Sequence, residues 1–225
     1  FGGCPFLTNV DFLVESPVEK LEVARTPVTS LFALRGKSLR SLAINGALEL
    51  RDLESLRGCR VREINMDFTR ITDLMPLLDL PNLERIRVST PWHRTLPLSR
   101  HPALKYIAHG QFGPMRPAAE VWKEFEDQAK ASGTTLDGYL ANLKLVEERL
   151  RSLDPKGGMS RISFQGEVLP EIGINLGGLA LTNLEFLRGL RIDRLALDAK
   201  GLNLDPLKEL SLQKLSVFGS NPGDL

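Results

Sequence analysis

Cysteine is scarce in this 225-residue chain, and its scarcity removes several kinds of chemistry. Cys4 and Cys59 lie far apart and have neither the spacing of a metal knuckle nor that of a CxxC redox pair. They read as small buried hydrophobes, with a disulfide between them left open on count alone. No run of about 18 apolar residues is present to span a bilayer, and no basic stretch leads into an apolar one at the N-terminus. Charge of one sign is also lacking: 29 Lys and Arg are interleaved with 28 Asp and Glu. Such a surface sets up no field for nucleic acid or an anionic membrane, so neither nucleic-acid binding nor membrane insertion is expected.

The residues that remain are 42% hydrophobic, enough in a chain of this length for a large core. They recur with a period. Leu39, Leu42 and Ile44 return one repeat later as Val61, Ile64 and Met66, and each copy closes with a second pair, Leu53 and Leu56 answering Leu74 and Leu77. The same pattern appears upstream as Val18, Leu21 and Val23, and downstream as Leu83, Ile86 and Val88, then Leu104 and Ile107. In LxxLxL a short strand sends alternate side chains inward while the leading apolar residue closes the preceding turn. One such strand cannot bury its own apolar edge. Stacked in a parallel ladder about 4.8 Å apart, the strands bury one continuous core, and the return segments form the outer side.

The return segment reads as Val28-Thr29-Ser30-Leu31, Ile71-Thr72-Asp73-Leu74 and Leu181-Thr182-Asn183-Leu184. Thr or Asp there suits a short helical turn, because its oxygen accepts an orphan backbone N–H. Recurrence of Asp11, Asp52, Asp73 and Asp205 beside these turns marks them as structural. Leu7 to Leu13 nearly copies Leu181 to Leu187, and Val217 to Leu225 resembles Val23 to Leu31. The chain is thus expected to begin and end inside the pattern, either as one piece of a longer polypeptide with further repeats or domains or with disordered flanks.

Between Pro114 and Pro155 the pattern stops. Pro117 suits a first helical position, with Val121, Trp122, Phe125 and Ala129 on one face. After Gly133, Thr134 or Thr135 caps a second helix with Leu136, Leu140, Leu143 and Leu150 on its face. These helices are expected to pack antiparallel over the open sheet edge of the first array. A strand over Met159–Phe164, an irregular stretch, and the triplets Ile192, Leu195, Leu197 and Leu212, Leu215, Val217 make a second array. The expectation is an α/β solenoid of leucine-rich repeats, each about 20 to 22 residues long. It comprises a first array over 1–113, a helical pair over 114–156 and a truncated second array over 157–225.

LFALRGKSLRSLAINGALELRDLESLRGC and ITDLMPLLDLPNLERIRVS are similar to the short leucine-rich repeats of many bacterial proteins, including the tails of some large bacterial serine/threonine protein kinases. Residues 101–125, HPALKYIAHG through RPAAEVWKEF, resemble the helical closure that follows such arrays. The resemblance implies a solenoid used for protein contacts, either as a scaffold or as the regulatory tail of a larger signalling enzyme. Thr26, Ala47, Thr69 and Pro91 stand where many such repeats carry a ladder of Asn. No kinase residue carries over, since the chain has no GxGxxG, HRD or DFG.

Nothing in the sequence points to an enzyme, a metal or a cofactor. His93, His101 and His109 are evenly spaced, but at an interval that suits ligands neither on a helix nor on adjacent strands. They read as loop and end-of-array residues, His109 at an inward position. Gly2-Gly3, Gly157-Gly158 and Gly177-Gly178 lack the strand-loop-helix context of a phosphate cradle. Trp92 and Trp122 read as core or cap residues. The functional signal lies in the outward positions of the strands. There the candidate concave face holds Lys20, Glu22, Asn45, Glu63, Asn65, Asp67, Arg85, Arg87 and Tyr106, with Arg85, Arg87 and Tyr106 the first choice for a contact cluster. The implied partner is a protein of unspecified identity. The compartment stays open, the cytoplasm being the favoured one.

Overall fold

The computed structural model describes residues 1–110, 112–165 and 169–218. It is an α/β structure with two parallel-rich sheets, three helices and no closed barrel among the described residues. The chain divides into two compact units, 1–124 and 125–225. No described helix is long and apolar enough to cross a membrane.

The first unit holds β1 (Lys20–Glu22), β2 (Ser41–Ala43), β3 (Glu63–Asn65), β4 (Arg85–Val88), the short helix α1 (Trp92–Thr95), β5 (Tyr106–His109) and β6 (Arg116–Pro117). Strands β1 to β5 pair in parallel in chain order, and their register puts Leu21, Leu42, Ile64, Ile86 and Ile107 on one line. Each is no more than 4% exposed. Their flanking partners Leu39, Val61 and Leu83, and Ile44, Met66 and Val88, are buried too. The strands are short because only the central LxL of each pattern needs to be straight.

Ahead of β1 and between the strands that follow, the chain runs through 3₁₀ turns at Asp11–Leu13, Phe32–Leu34, Glu54–Leu56, Met75–Asp79 and Leu96–Arg100. The capping oxygen comes from the residue just before the second apolar position of the return segment, which follows a threonine in three repeats and Arg51 in the fourth. Asn9, Ser30, Asp52 and Asp73, not the threonines, accept the N–H two residues on, at 2.9 to 3.1 Å. Asp11 instead supplies one of the capped N–H groups. Thr26 and Thr69, standing where an Asn ladder was missing, donate to the carbonyls of Val23 and Met66 and so close their own turns.

The last parallel strand, β5, pairs antiparallel with β6. That small strand was not foreseen. Pro117, with no N–H to offer, is tolerated at a sheet edge, and the helix α2 (Ala118–Ala131) starts immediately after it. Arg116 and Glu124 pair through both guanidinium nitrogens and tie β6 to α2. Cys59 is buried but Cys4 is exposed, which corrects its reading as a buried hydrophobe: it sits in a surface turn, and both thiols are free.

The second unit begins within α2 and continues with α3 (Leu136–Leu153), whose N-cap is Thr135, its hydroxyl accepting from Gly138 N–H. The buried face of α3 is Tyr139, Leu143, Val146 and Leu150; Leu136 and Leu140 are only half-buried, their expected places in the stripe taken by Tyr139 and Val146. Its sheet has the order β10-β9-β8-β7, built from β7 (Ile162–Gln165), β8 (Glu171–Asn175), β9 (Arg194–Asp198) and β10 (Lys214–Phe218). Residues 158–161 form a 3₁₀ turn rather than the start of a strand, and β7 runs antiparallel to β8. β8 lies in the stretch read as irregular, part of which falls outside the described residues. Gly173 interrupts its apolar pattern: a Cβ there would come within 2.5 Å of Ser163 Oγ on β7. On β10, Leu215 is 43% exposed and Val217 is half-buried, as is Leu212 just ahead of the strand, because an edge strand has a neighbour on one side only. The resemblance of Val217 to Leu225 with Val23 to Leu31 rests mostly on residues outside the described ones.

Ile86 sits mid-ladder and fully buried, so Ile86→Ala is expected to lower the stability of the first unit by about 3 kcal/mol. Leu48→Ala, at a position 48% exposed, stays within about 0.5 kcal/mol. Urea unfolding followed by tryptophan fluorescence reads both, since Trp92 and Trp122 are the only tryptophans and both lie in residues 1–124. Equal effects of the two substitutions would contradict the burial line.

Candidate binding face

The register that buries one line of side chains sets out the lines beside it, displayed in part and covered at Ala108. Lys20, Ser41, Glu63, Arg85 and Tyr106 stand opposite one another on successive strands, and Glu22, Ala43, Asn65, Arg87 and Ala108 form the next line. Adjacent members are about 4.8 Å apart, so long side chains reach across strands.

On the first line, Glu63 Oε1 lies 3.5 Å from Arg85 Nη1, and the Arg85 guanidinium carbon is 5.3 Å from the centre of the Tyr106 ring. Arg85 is therefore held between a carboxylate and an aromatic face while its side chain remains 51% exposed. Tyr106 is 37% exposed. Lys20 and Glu22 are exposed at the start of the sheet.

Other candidates are occupied inside the fold. Asp67 is 1% exposed; its Oδ1 accepts from Ser89 Oγ at 2.8 Å and its Oδ2 lies 4.0 Å from Arg87 Nε. Arg87 Nη1 donates to the carbonyls of Gly110 at 2.7 Å and Gly113 at 3.0 Å, which fastens the loop after β5 to β4. Asn65 Oδ1 accepts from Asp67 N–H at 3.2 Å and shapes the turn after β3. Asn45 is half-buried and its carbonyl accepts from Arg25 N–H. The face thus brings Glu63, Arg85 and Tyr106 together outside, and turns Asp67 and Arg87 to holding loops.

The evenly spaced histidines all point to structure. His101 is buried; Nδ1 accepts from Ala103 N–H at 3.2 Å, so Nε2 carries the proton it gives to the Leu80 carbonyl at 3.0 Å. His109, half-buried opposite Val88, stacks on Trp92 at 4.7 Å and places Nε2 2.7 Å from the Thr90 carbonyl. His93 is 2% exposed, and burial followed by the neighbouring Arg94 charge lowers its pKa to about 4. Among the described residues, no three His, Cys, Asp or Glu side chains gather to hold a metal ion.

The second unit has an open cleft of ≈ 600 Å³ beside Tyr139, Asn142, Glu171, Arg191 and Asp193. The Asn142 amide both accepts from Arg191 N–H at 2.8 Å and donates to Arg191 C=O at 2.7 Å. Tyr139 donates to the Pro170 carbonyl at 2.9 Å, and burial, with the Asp193 charge adding to it, pushes its phenol well above the ordinary range. Arg149, also on α3, donates to the carbonyls of Phe186 and Arg188. Tyr139, Asn142 and Arg149 were not foreseen as loop-fixing residues. They carry no motif, and only their spacing on one side of α3 hints at their shared role of fixing loops. No family model, curated protein or solved structure matches this chain.

His93 generates a pH dependence. Its folded pKa lies below its ordinary 6.5, so the unfolded chain binds the proton more tightly, and stability present above pH 6.5 drains away as pH falls toward 4. Between pH 7 and pH 5 the loss from this group is about 2 kcal/mol. His101, lowered by burial, acts in the same direction. Urea unfolding at the two pH values is expected to show this loss, and His93→Gln to shrink it; an unchanged slope in the variant would assign the pH dependence elsewhere.

Proposed function

We propose that the chain is a protein-recognition module, a leucine-rich-repeat solenoid whose concave first sheet binds a protein partner and which carries out no reaction of its own. The observation that supports this reading is the line Lys20–Ser41–Glu63–Arg85–Tyr106, held in register across five strands with Arg85 braced between Glu63 and Tyr106. A regular ladder fixes the spacing of these groups before any partner arrives, so little conformational entropy is lost on binding. Arginine and tyrosine are among the side chains that most often dominate such contacts. The same regularity disfavours catalysis: a reaction needs groups that differ from one repeat to the next and converge on one point, and the histidines are spent on backbone contacts or buried.

Arg85→Glu and Tyr106→Ala are expected to weaken partner binding by about tenfold or more each; Arg85→Glu, at a half-exposed side chain, leaves the melting temperature unchanged, while Tyr106→Ala, at a mostly covered ring, lowers it modestly without unfolding the chain at the assay temperature. Affinity capture from source cells, comparing wild type with the two variants, reads the effect. Arg87 is unsuitable for this purpose, since its removal frees the loop after β5. Equal recovery of the same partner by wild type and both folded variants would reject this face.

A further inference from the structure

The turns after β1, β2, β3 and β5 each place a residue at positive φ, and so does the equivalent position ahead of β1. Gly3, Arg25, Gly46 and Phe68 occupy the same place in successive repeats, with φ of 77°, 54°, 71° and 55°, and Gly110 repeats the geometry two strands on at 74°. Glycine is the relaxed choice here, because a Cβ crowds the neighbouring carbonyl in the left-handed region; a bulky aromatic there is an outlier. Arg25 and Phe68 are the only described non-glycine residues with positive φ.

Neither gains burial in return. Arg25 is exposed, and Phe68 is 55% exposed, its backbone pinned by an N–H to Ser89 Oγ bond at 3.2 Å. Gly46 between them is not neutral: a Cβ there would meet Arg25 Cγ at 2.9 Å, so the Arg25 stem lies across the glycine. The result is a shelf with Arg25 on one strand end and Phe68 two strands away, about 10 Å along the ladder. Leu48, 48% exposed and just past Gly46, adds apolar surface. Charge from Arg25 to Phe68 is mainly positive, the Glu22 carboxylate reaching back to Gly2 on the side away from Phe68. Arg25 and Arg70 are exposed, whereas Asp67 is turned inward and Glu49 is paired with Arg51 at 3.5 Å.

We propose that this shelf docks an extended protein segment carrying an apolar side chain flanked by carboxylates, the apolar group packing on Phe68 and Leu48 and a carboxylate pairing with Arg25. The assignment rests on the protein-recognition reading above and adds to it the partner's chemistry and a second contact away from Arg85. An anionic bilayer is a poorer occupant, since a flat surface laid on the shelf would also cover Glu22 and Glu63 of the adjoining strands, which a narrow segment running from Arg25 to Phe68 need not do.

Selection of a phage-displayed random dodecapeptide library on the whole chain tests it, with Phe68→Gly, Arg25→Gly and Arg85→Glu compared on the selected peptides. Expected are peptides with an aromatic or aliphatic residue between Asp and Glu, bound at least tenfold more weakly by Phe68→Gly and by Arg25→Gly. Both glycine variants should melt at the wild-type temperature or up to about 3 °C above it, because glycine relaxes the turn. A lower melting temperature for Phe68→Gly would show that the ring serves the fold and would overturn the proposal. Peptides that depend on Arg85 but not on Phe68 or Arg25 would overturn the shelf and leave the recognition face standing. Failure to enrich any peptide would count against both. Phe68-dependent binding to phosphatidylserine vesicles without peptide binding would replace the peptide with a membrane.

Discussion

The burial of one line of aliphatic side chains across parallel strands is the constraint on which the first unit depends. Leu21, Leu42, Ile64, Ile86 and Ile107 each lose contact with water only because the neighbouring strand is in register. A slip of one residue would carry every member to the opposite face. Since fully burying such a side chain stabilises by about 2 kcal/mol, a slip along the whole ladder would forfeit as much as the net stability of an ordinary domain. Register is therefore fixed first, and the positions of the displayed groups follow from it.

What the ladder does not provide, the turns supply. A 3₁₀ return segment leaves N–H groups unpaired at its start, and Asn9, Ser30, Asp52 and Asp73 meet that need in the first unit as Asn183 and Asn203 do in the second. Charged side chains link successive turns in the same way: Arg57 joins Glu54 to Asp79, and Arg188 joins Glu185 to Glu209. These pairs are exposed, so each contributes little energy, but their repetition at the spacing of the strands keeps neighbouring turns aligned.

Period made most of the first unit legible. The repeat spacing located all five parallel strands, because a repeat places the same physical demand on the same position each time. Elements that break the period were not legible. β8 hides behind Gly173, whose missing side chain removes the alternation that marks a strand, and β6 is a very short strand with a proline in it. On α3 the leucines were an incomplete guide: Tyr139 and Val146 complete the buried stripe, since a phenol that finds the Pro170 carbonyl can be buried as well as a leucine. The face was legible as a set of positions, not as a set of available groups. Whether Asp67 or Arg87 can reach a partner depends on Ser89, Gly110 and Gly113, and no local pattern links those residues.

Residues within a repeat fall into two kinds. A residue that answers a need common to all repeats, such as Asp52 at its turn, is replaced in its siblings by chemically equivalent residues. A residue that answers no such need shows itself by failing to match them. Phe68 differs from Gly46 and Gly110 at a position where the backbone favours glycine, and Arg85 and Tyr106 differ from Ser41 on the same line. Departures that stabilise the fold are accounted for by packing or hydrogen bonds, as His109 is by Trp92 and Thr90. Phe68 keeps more than half of its surface exposed at a position of backbone strain, and that uncompensated strain is the observation on which the proposed shelf rests.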